Sequence, residues 1–152
     1  YKYIDARGAE LFSGDFSKAF SFSDGLARIE VCIHNALGNK VYRFGFIDKK
    51  GNTTIVPKFV YADDFKEGLA LVTDEQGKKK FINKKGESIF AMGRLTAMPF
   101  SEGLAVTWSD YVPKSKRGFI DKTGAYSKIE IKSHESRSGN PIIFEFDSEL
   151  IE

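Results

Sequence analysis

Phe46-Ile47-Asp48-Lys49-Lys50-Gly51 decides how the rest of the chain is read, because it returns. It comes back as Phe81-Ile82-Asn83-Lys84-Lys85-Gly86 and as Phe119-Ile120-Asp121-Lys122-Thr123-Gly124, and the chain opens on Tyr3-Ile4-Asp5-Ala6-Arg7-Gly8. A second block alternates with it: Phe22-Ser23-Asp24-Gly25-Leu26-Ala27, Phe65-Lys66-Glu67-Gly68-Leu69-Ala70 and Phe100-Ser101-Glu102-Gly103-Leu104-Ala105. From the aromatic of block one to that of the next block two the step is constant: 3 to 22, 46 to 65, 81 to 100. The return step varies: 22 to 46, 65 to 81, 100 to 119. A locked length implies a segment packed along its whole path. A variable length implies a connection whose tip lies in solvent, where insertions cost little.

The block chemistry is that of strands and turns. Asp or Asn followed three residues later by Gly, after an apolar strand, is a hairpin signal: the Asx oxygen accepts backbone N–H bonds and Gly takes the positive φ. The strand after block two is clearest at Ala27, Ile29, Val31 and Ile33, with Arg28 and Glu30 between them, a period of two. A third strand, Thr53-Thr54-Ile55-Val56, follows the block-one turn, and Pro57 either ends it or puts it at an edge. Helix is scarce; residues 60–66 offer at most one short turn. The expectation is an all-β array of about three repeats of short antiparallel strands, open and solenoid-like, since three units are too few to close a propeller.

The division expected is a half unit at 1–8, units at 9–51, 52–86 and 87–124, and a divergent cap or linker at 125–152, where the pattern fails. The tail carries two apolar runs, Ile129-Glu130-Ile131 and Ile142-Ile143-Phe144-Glu145-Phe146. The 152 residues hold 14 Phe and one Trp, favouring strands. A net charge of +2 argues for neither nucleic acid nor membrane binding, and no apolar stretch is long enough for a spanning helix. One cysteine, Cys32, rules out an internal disulfide. Tyr1 lies inside a repeat, which suggests a fragment of a longer protein. The compartment stays open, with secreted or cell-surface placement compatible.

Arg43-Phe44-Gly45-Phe46-Ile47-Asp48, Ile55-Val56-Pro57-Lys58-Phe59 and the three copies of block two together resemble the bacterial WG-repeat family over residues 1 to about 124. The departure is in the name-giving pair. Its Trp position holds Phe44, Lys79, Arg117 and Tyr1, and its Gly position holds Gly45, Lys80, Gly118 and Lys2. The resemblance implies repeat scaffolds and cell-surface or secreted proteins, and no catalytic residues.

Repetition also sorts the chemistry. Asp48, Asn83 and Asp121 are read as turn residues, and Asp24, Glu67 and Glu102 as turn or capping residues, because each recurs at one place in every unit. Cys32, His34 and His134 form no metal or nucleophile set, and no Gly-x-Ser-x-Gly elbow or phosphate loop exists, so neither enzyme activity nor a cofactor is expected. The block-one lysines are read as solvated turn tips, with a basic stripe as the alternative. Function is expected in the unit-specific parts: the tip 33–43, the segment 108–117 and the tail. The candidate interaction residues are Trp108, Tyr111, His34, Tyr42, Lys79 and Arg117. Trp108 and Tyr111 fit an exposed contact for a protein or a sugar, although Trp108 also extends the Leu104/Val106 face. The leading expectation is a non-catalytic protein-binding or scaffolding module. A glycan or cell-envelope module is the alternative.

Overall fold

The computed structural model describes residues 1–109 and 117–128, which form fourteen strands and no helix. β1 (Lys2–Ile4) and β2 (Glu10–Ser13) make a two-stranded sheet. Three four-stranded sheets follow. The first comprises β3 (Lys18–Ser23), β4 (Leu26–His34), β5 (Lys40–Ile47) and β6 (Thr53–Phe59). The next has β7 (Tyr61–Ala62), β8 (Leu69–Thr73), β9 (Lys79–Asn83) and β10 (Ser88–Gly93), and the last has β11 (Leu95–Ala97), β12 (Leu104–Ser109), β13 (Arg117–Asp121) and β14 (Tyr126–Lys128). Each is an antiparallel meander whose neighbours in sequence are neighbours in space. The architecture is the expected all-β repeat array with no closed barrel.

One bent strand joins each four-stranded sheet to the next. A single residue, Val60, separates β6 from β7, and a single residue, Arg94, separates β10 from β11. Phe59 still pairs with Phe44 of β5, whereas the Val60 N–H already bonds the Thr73 carbonyl of the following sheet. The run 53–62 is thus one bent strand shared by two sheets. The constant step from block one to block two is the length of this crossing. The variable step is the hairpin made by the two central strands of each sheet. The short helical turn expected at 60–66 is absent: the Asp63 N–H goes to the Leu71 carbonyl and Lys66 bridges Leu69, so cross-strand pairing takes the bonds a helical turn would use. Pro57 does not end its strand. It sits in edge strand β6, between register shifts, where no ladder donor is needed.

The sheets stack through three apolar layers. Tyr3, Phe12 and Phe22 pack with Ala27, Ile29 and Ile47 in the first. Leu26, Phe46, Ile55, Phe59 and Phe65 meet Ala70, Val72 and Ile82 in the second. Leu69, Leu71, Phe81 and Phe100 meet Ala105 and Ile120 in the third. Each block therefore sends alternate residues to opposite sides: Phe46 and Phe81 toward the following sheet, Ile47 and Ile82 toward the preceding one. Phe46–Phe65 and Phe81–Phe100 form the same edge-to-face pair, with centroids 4.7 and 5.0 Å apart. Burying one such Phe contributes about 1.5–3 kcal/mol, and no unit can bury both of its faces alone.

Candidate functional site

The turns show what the repeated polar residues do. In block one the Asp48 Oδ1 accepts from the N–H groups of Lys50 and Asn52 at 2.8 and 2.9 Å, and Asn83 and Asp121 repeat this pattern. The same five-residue loop closes two of the variable tips, at Asn35–Asn39 and Asp74–Lys78. The signal was present as Asn35-x-x-Gly38 and Asp74-x-x-Gly77. Gly51, Gly86 and Gly124 take φ of 85°, 81° and 92°. A side chain at Gly51 or Gly124 would also strike Phe12 or Phe90 of the preceding sheet, and one at Gly86 would crowd Ile55.

In block two Asp24, Glu67 and Glu102 stand at φ of 53°, 51° and 53°, each followed by a positive-φ Gly. This is the two-residue hairpin turn of type I′. A left-handed conformation costs a non-glycine residue about 1–2 kcal/mol, and Glu is a poor choice for it. The compensation lies across the layer. Asp24 accepts from the Gly68 N–H at 2.6 Å and from Lys84 Nζ at 2.8 Å. Glu67 accepts from the Gly103 N–H at 2.9 Å and pairs with Lys122 Nζ at 2.8 Å. Each carboxylate thus grips the turn glycine and the block-one lysine of the following unit. These bonds, led by the lysine in both cases, hold the Asp24 and Glu67 carboxyls below their ordinary range. Lys84 and Lys122 stay exposed, as turn-tip lysines are expected to, but each is also held in an ion pair; spacing within a unit does not reveal a contact between units.

One cluster breaks the repeat. The Arg28 guanidinium lies 3.9 Å from the Phe20 ring centroid and 5.6 Å from that of Phe44. It donates to the Ala62 carbonyl, and its Nε stands 3.2 Å from Asp64 Oδ1 without the alignment of a hydrogen bond. Beside it the Tyr61 hydroxyl donates to Asp63 at 2.6 Å, and burial pushes the Asp63 carboxyl above its ordinary range. The corresponding residues of the next unit are Leu71, Met98 and Pro99, so this charge is particular to one layer.

Two of the unit-specific tips, at 35–39 and 75–78, are exposed. The hairpin of β4 and β5 runs beyond the shorter β8–β9 pair, leaving Cys32, His34 and Tyr42 exposed, with Tyr42 directly opposite Cys32. Leu37 at its end is 84% exposed. Between this hairpin and the next tip lies an open groove of about 430 Å³, lined by Ile33, Arg43, Phe59, Glu75 and Lys80 among others. Arg43 closes it by two bonds to Glu75 Oε1, at 2.7 and 3.1 Å. His34 and Tyr42 thus share one hairpin. Trp108 and Arg117 are cross-strand partners on β12 and β13, with Trp108 half-buried and Arg117 exposed. Lys79 stands apart from both pairs on β9. Tyr111, most of the segment 108–117 and the tail from 129 onward lie outside the described residues.

With this geometry in hand, the family can be stated. Residues 3–31 and 44–78 match the model of the WG containing repeat. The chain carries WG repeats in these two stretches, each of which runs from a block-one aromatic region through the crossing into the strand after block two, and the β4–β5 tip at 32–43 lies between them. No curated protein and no solved structure matches the chain.

Proposed function

We propose that the chain is a non-catalytic β-repeat module that binds another protein through its hairpin tips. The observation that carries this reading is the groove between the tips of two successive units. The shared Phe, Gly, Asx and Leu-Ala positions are consumed by turns and layers. The groove is instead lined by residues that differ from unit to unit: Ile33 and Arg43 on one side, Asp74, Glu75 and Gln76 on the other. A groove with apolar Ile33, Pro57 and Phe59 among charged side chains has the mixed character of a protein-binding surface, and Leu37 and Tyr42 add exposed apolar area on the same hairpin.

The test compares partner capture by the full chain with capture by Leu37→Asp/Tyr42→Ala, which alters exposed side chains only. Capture should fall at least about tenfold, equivalent to 1.4 kcal/mol, with the circular dichroism spectrum unchanged. Equal capture by both proteins would remove the tips as the contact. A glycan-binding reading has one observation behind it, the pairing of half-buried Trp108 with exposed Arg117. It requires polysaccharide retention that Trp108→Ala abolishes.

A further inference from the structure

The fourth sheet repeats, on its outward face, the half-interface that the two sheets before it use to receive a neighbour. Leu69 and Leu71 of β8 are 8% and 3% exposed beneath the fourth sheet. Their equivalents on β12, Leu104 and Val106, are 46% and 39% exposed. Register places Phe119 opposite Val106 and Arg117 opposite Trp108, so one face carries Leu104, Val106, Trp108, Phe119 and Arg117. The polar half of the joint is present too. Glu102 holds the same positive-φ position as Asp24 and Glu67, yet its carboxylate has no hydrogen-bond or ion-pair partner among the described residues.

We infer that this face is a docking site for one further repeat unit from outside these 152 residues, bearing a type I′ turn glycine and a lysine after the Asx of its block-one loop. The unit's glycine N–H and its lysine would meet Glu102, as Gly68 with Lys84 meet Asp24 and Gly103 with Lys122 meet Glu67. Its block-one Ile would enter the Leu104/Val106/Phe119 face, as Ile82 and Ile120 do in the second and third layers. Other occupants lack this chemistry. A second copy offers only its first half unit, with Ala6 at the lysine position and no block-two hairpin in that sheet. The tail after Gly124 has no block-two sequence. The site is separate from the tips and stands or falls independently of them.

The experiment repeats residues 87–124 once, directly after Gly124, with Trp108→Phe in the added copy, so that the original Trp108 is the sole reporter. Its emission should move to shorter wavelength and its acrylamide quenching should fall severalfold. Glu102→Gln in the original unit should lower the urea midpoint of the lengthened protein and leave that of the natural chain unchanged. Unchanged quenching, or an equal effect of Glu102→Gln on both proteins, overturns the proposal. The natural chain supplies a second check. Val106→Ser should be nearly neutral there, whereas Leu71→Ser in the covered layer should be strongly destabilising. Comparable losses, relieved for Val106→Ser by removing residues 129–152, would show that the tail already covers the face. Self-association of the natural chain abolished by Val106→Asp would give the face to a second copy. Either outcome overturns the proposal.

Discussion

The second and third layers are built on one template and filled differently. Both have the edge-to-face Phe pair, a buried Ala near the head of the following sheet's second strand (Ala70, Ala105) and the carboxylate grip on glycine and lysine. The second layer admits Arg28 and Asp64 at its margin; the third has Leu71 and Pro99 in their places. Conversely, the second buries Val72 where the third buries Thr107, whose hydroxyl has no hydrogen-bond partner among the described residues. The comparison separates what stacking requires from what one interface tolerates. The Phe pair, the Leu, Ala and Ile that pack with it and the polar grip are common to both, whereas the margin and the Val72/Thr107 position differ.

The largest expected effect lies in the common part. Phe81→Ala should destabilise by about 3–5 kcal/mol, as Phe-to-Ala changes in packed cores do, and Phe46→Ala should match it in urea unfolding. A clearly smaller loss at one site would show that the layers are not energetically equivalent. Next comes the charged margin. Removing one partner of a buried pair costs about 3–5 kcal/mol, but Asp64 is 39% exposed against 14% for Arg28. Water therefore shares the burden, and Arg28→Ala should cost only about 1–3 kcal/mol. Arg28→Leu, which copies the third layer, should cost less than Arg28→Ala. If the two are equal, the aliphatic packing of the arginine stem contributes nothing.

Thr107→Val makes the third layer resemble the second and removes a buried hydroxyl without a partner. It should stabilise by about 1 kcal/mol, toward the low end of the penalty for such a group, visible as a raised urea midpoint. A loss of stability would mean that the hydroxyl is engaged. The smallest effect concerns the grip, which is at the surface and screened. The Asp24 and Glu67 carboxyls lie below their unfolded values. Their contribution is present above the ordinary carboxylate range and is lost as pH falls through the depressed folded values. Asp24→Asn/Glu67→Gln should therefore flatten the acid limb of the stability profile. Asp63 has the opposite sign: burial raises it, so Asp63→Asn should help at neutral pH and lose that advantage in acid.

These contrasts also show what the sequence could and could not display. Strands and turns were legible because period-two runs such as Ala27-Arg28-Ile29-Glu30-Val31 and the Asx-x-x-Gly spacing act within a few residues. The repeat array was legible through the fixed steps between blocks, although the sequence reading set no order of strands within a sheet. Contacts between Asp24 and Lys84, or between Arg28 and Asp64, join residues from different units, and no local pattern announces them. The helical turn expected at 60–66 failed for the same reason, since its backbone bonds belong to β8. Of the candidate residues, pairing in the folded chain unites His34 with Tyr42 on one hairpin and Trp108 with Arg117 across two strands.

The one-residue crossings at Val60 and Arg94 make the chain behave as a ruler. Side chains alternate strictly along a strand, so a single-residue insertion or deletion between the two aromatic markers exchanges inside for outside in everything that follows. Losing Val60 would put Asp63 where Ala62 now sits fully buried. Tips can grow or shrink by any number of residues without such a penalty. Viable changes in length within the crossings should therefore come as whole units, so that repeats are gained and lost entire while the hairpins drift.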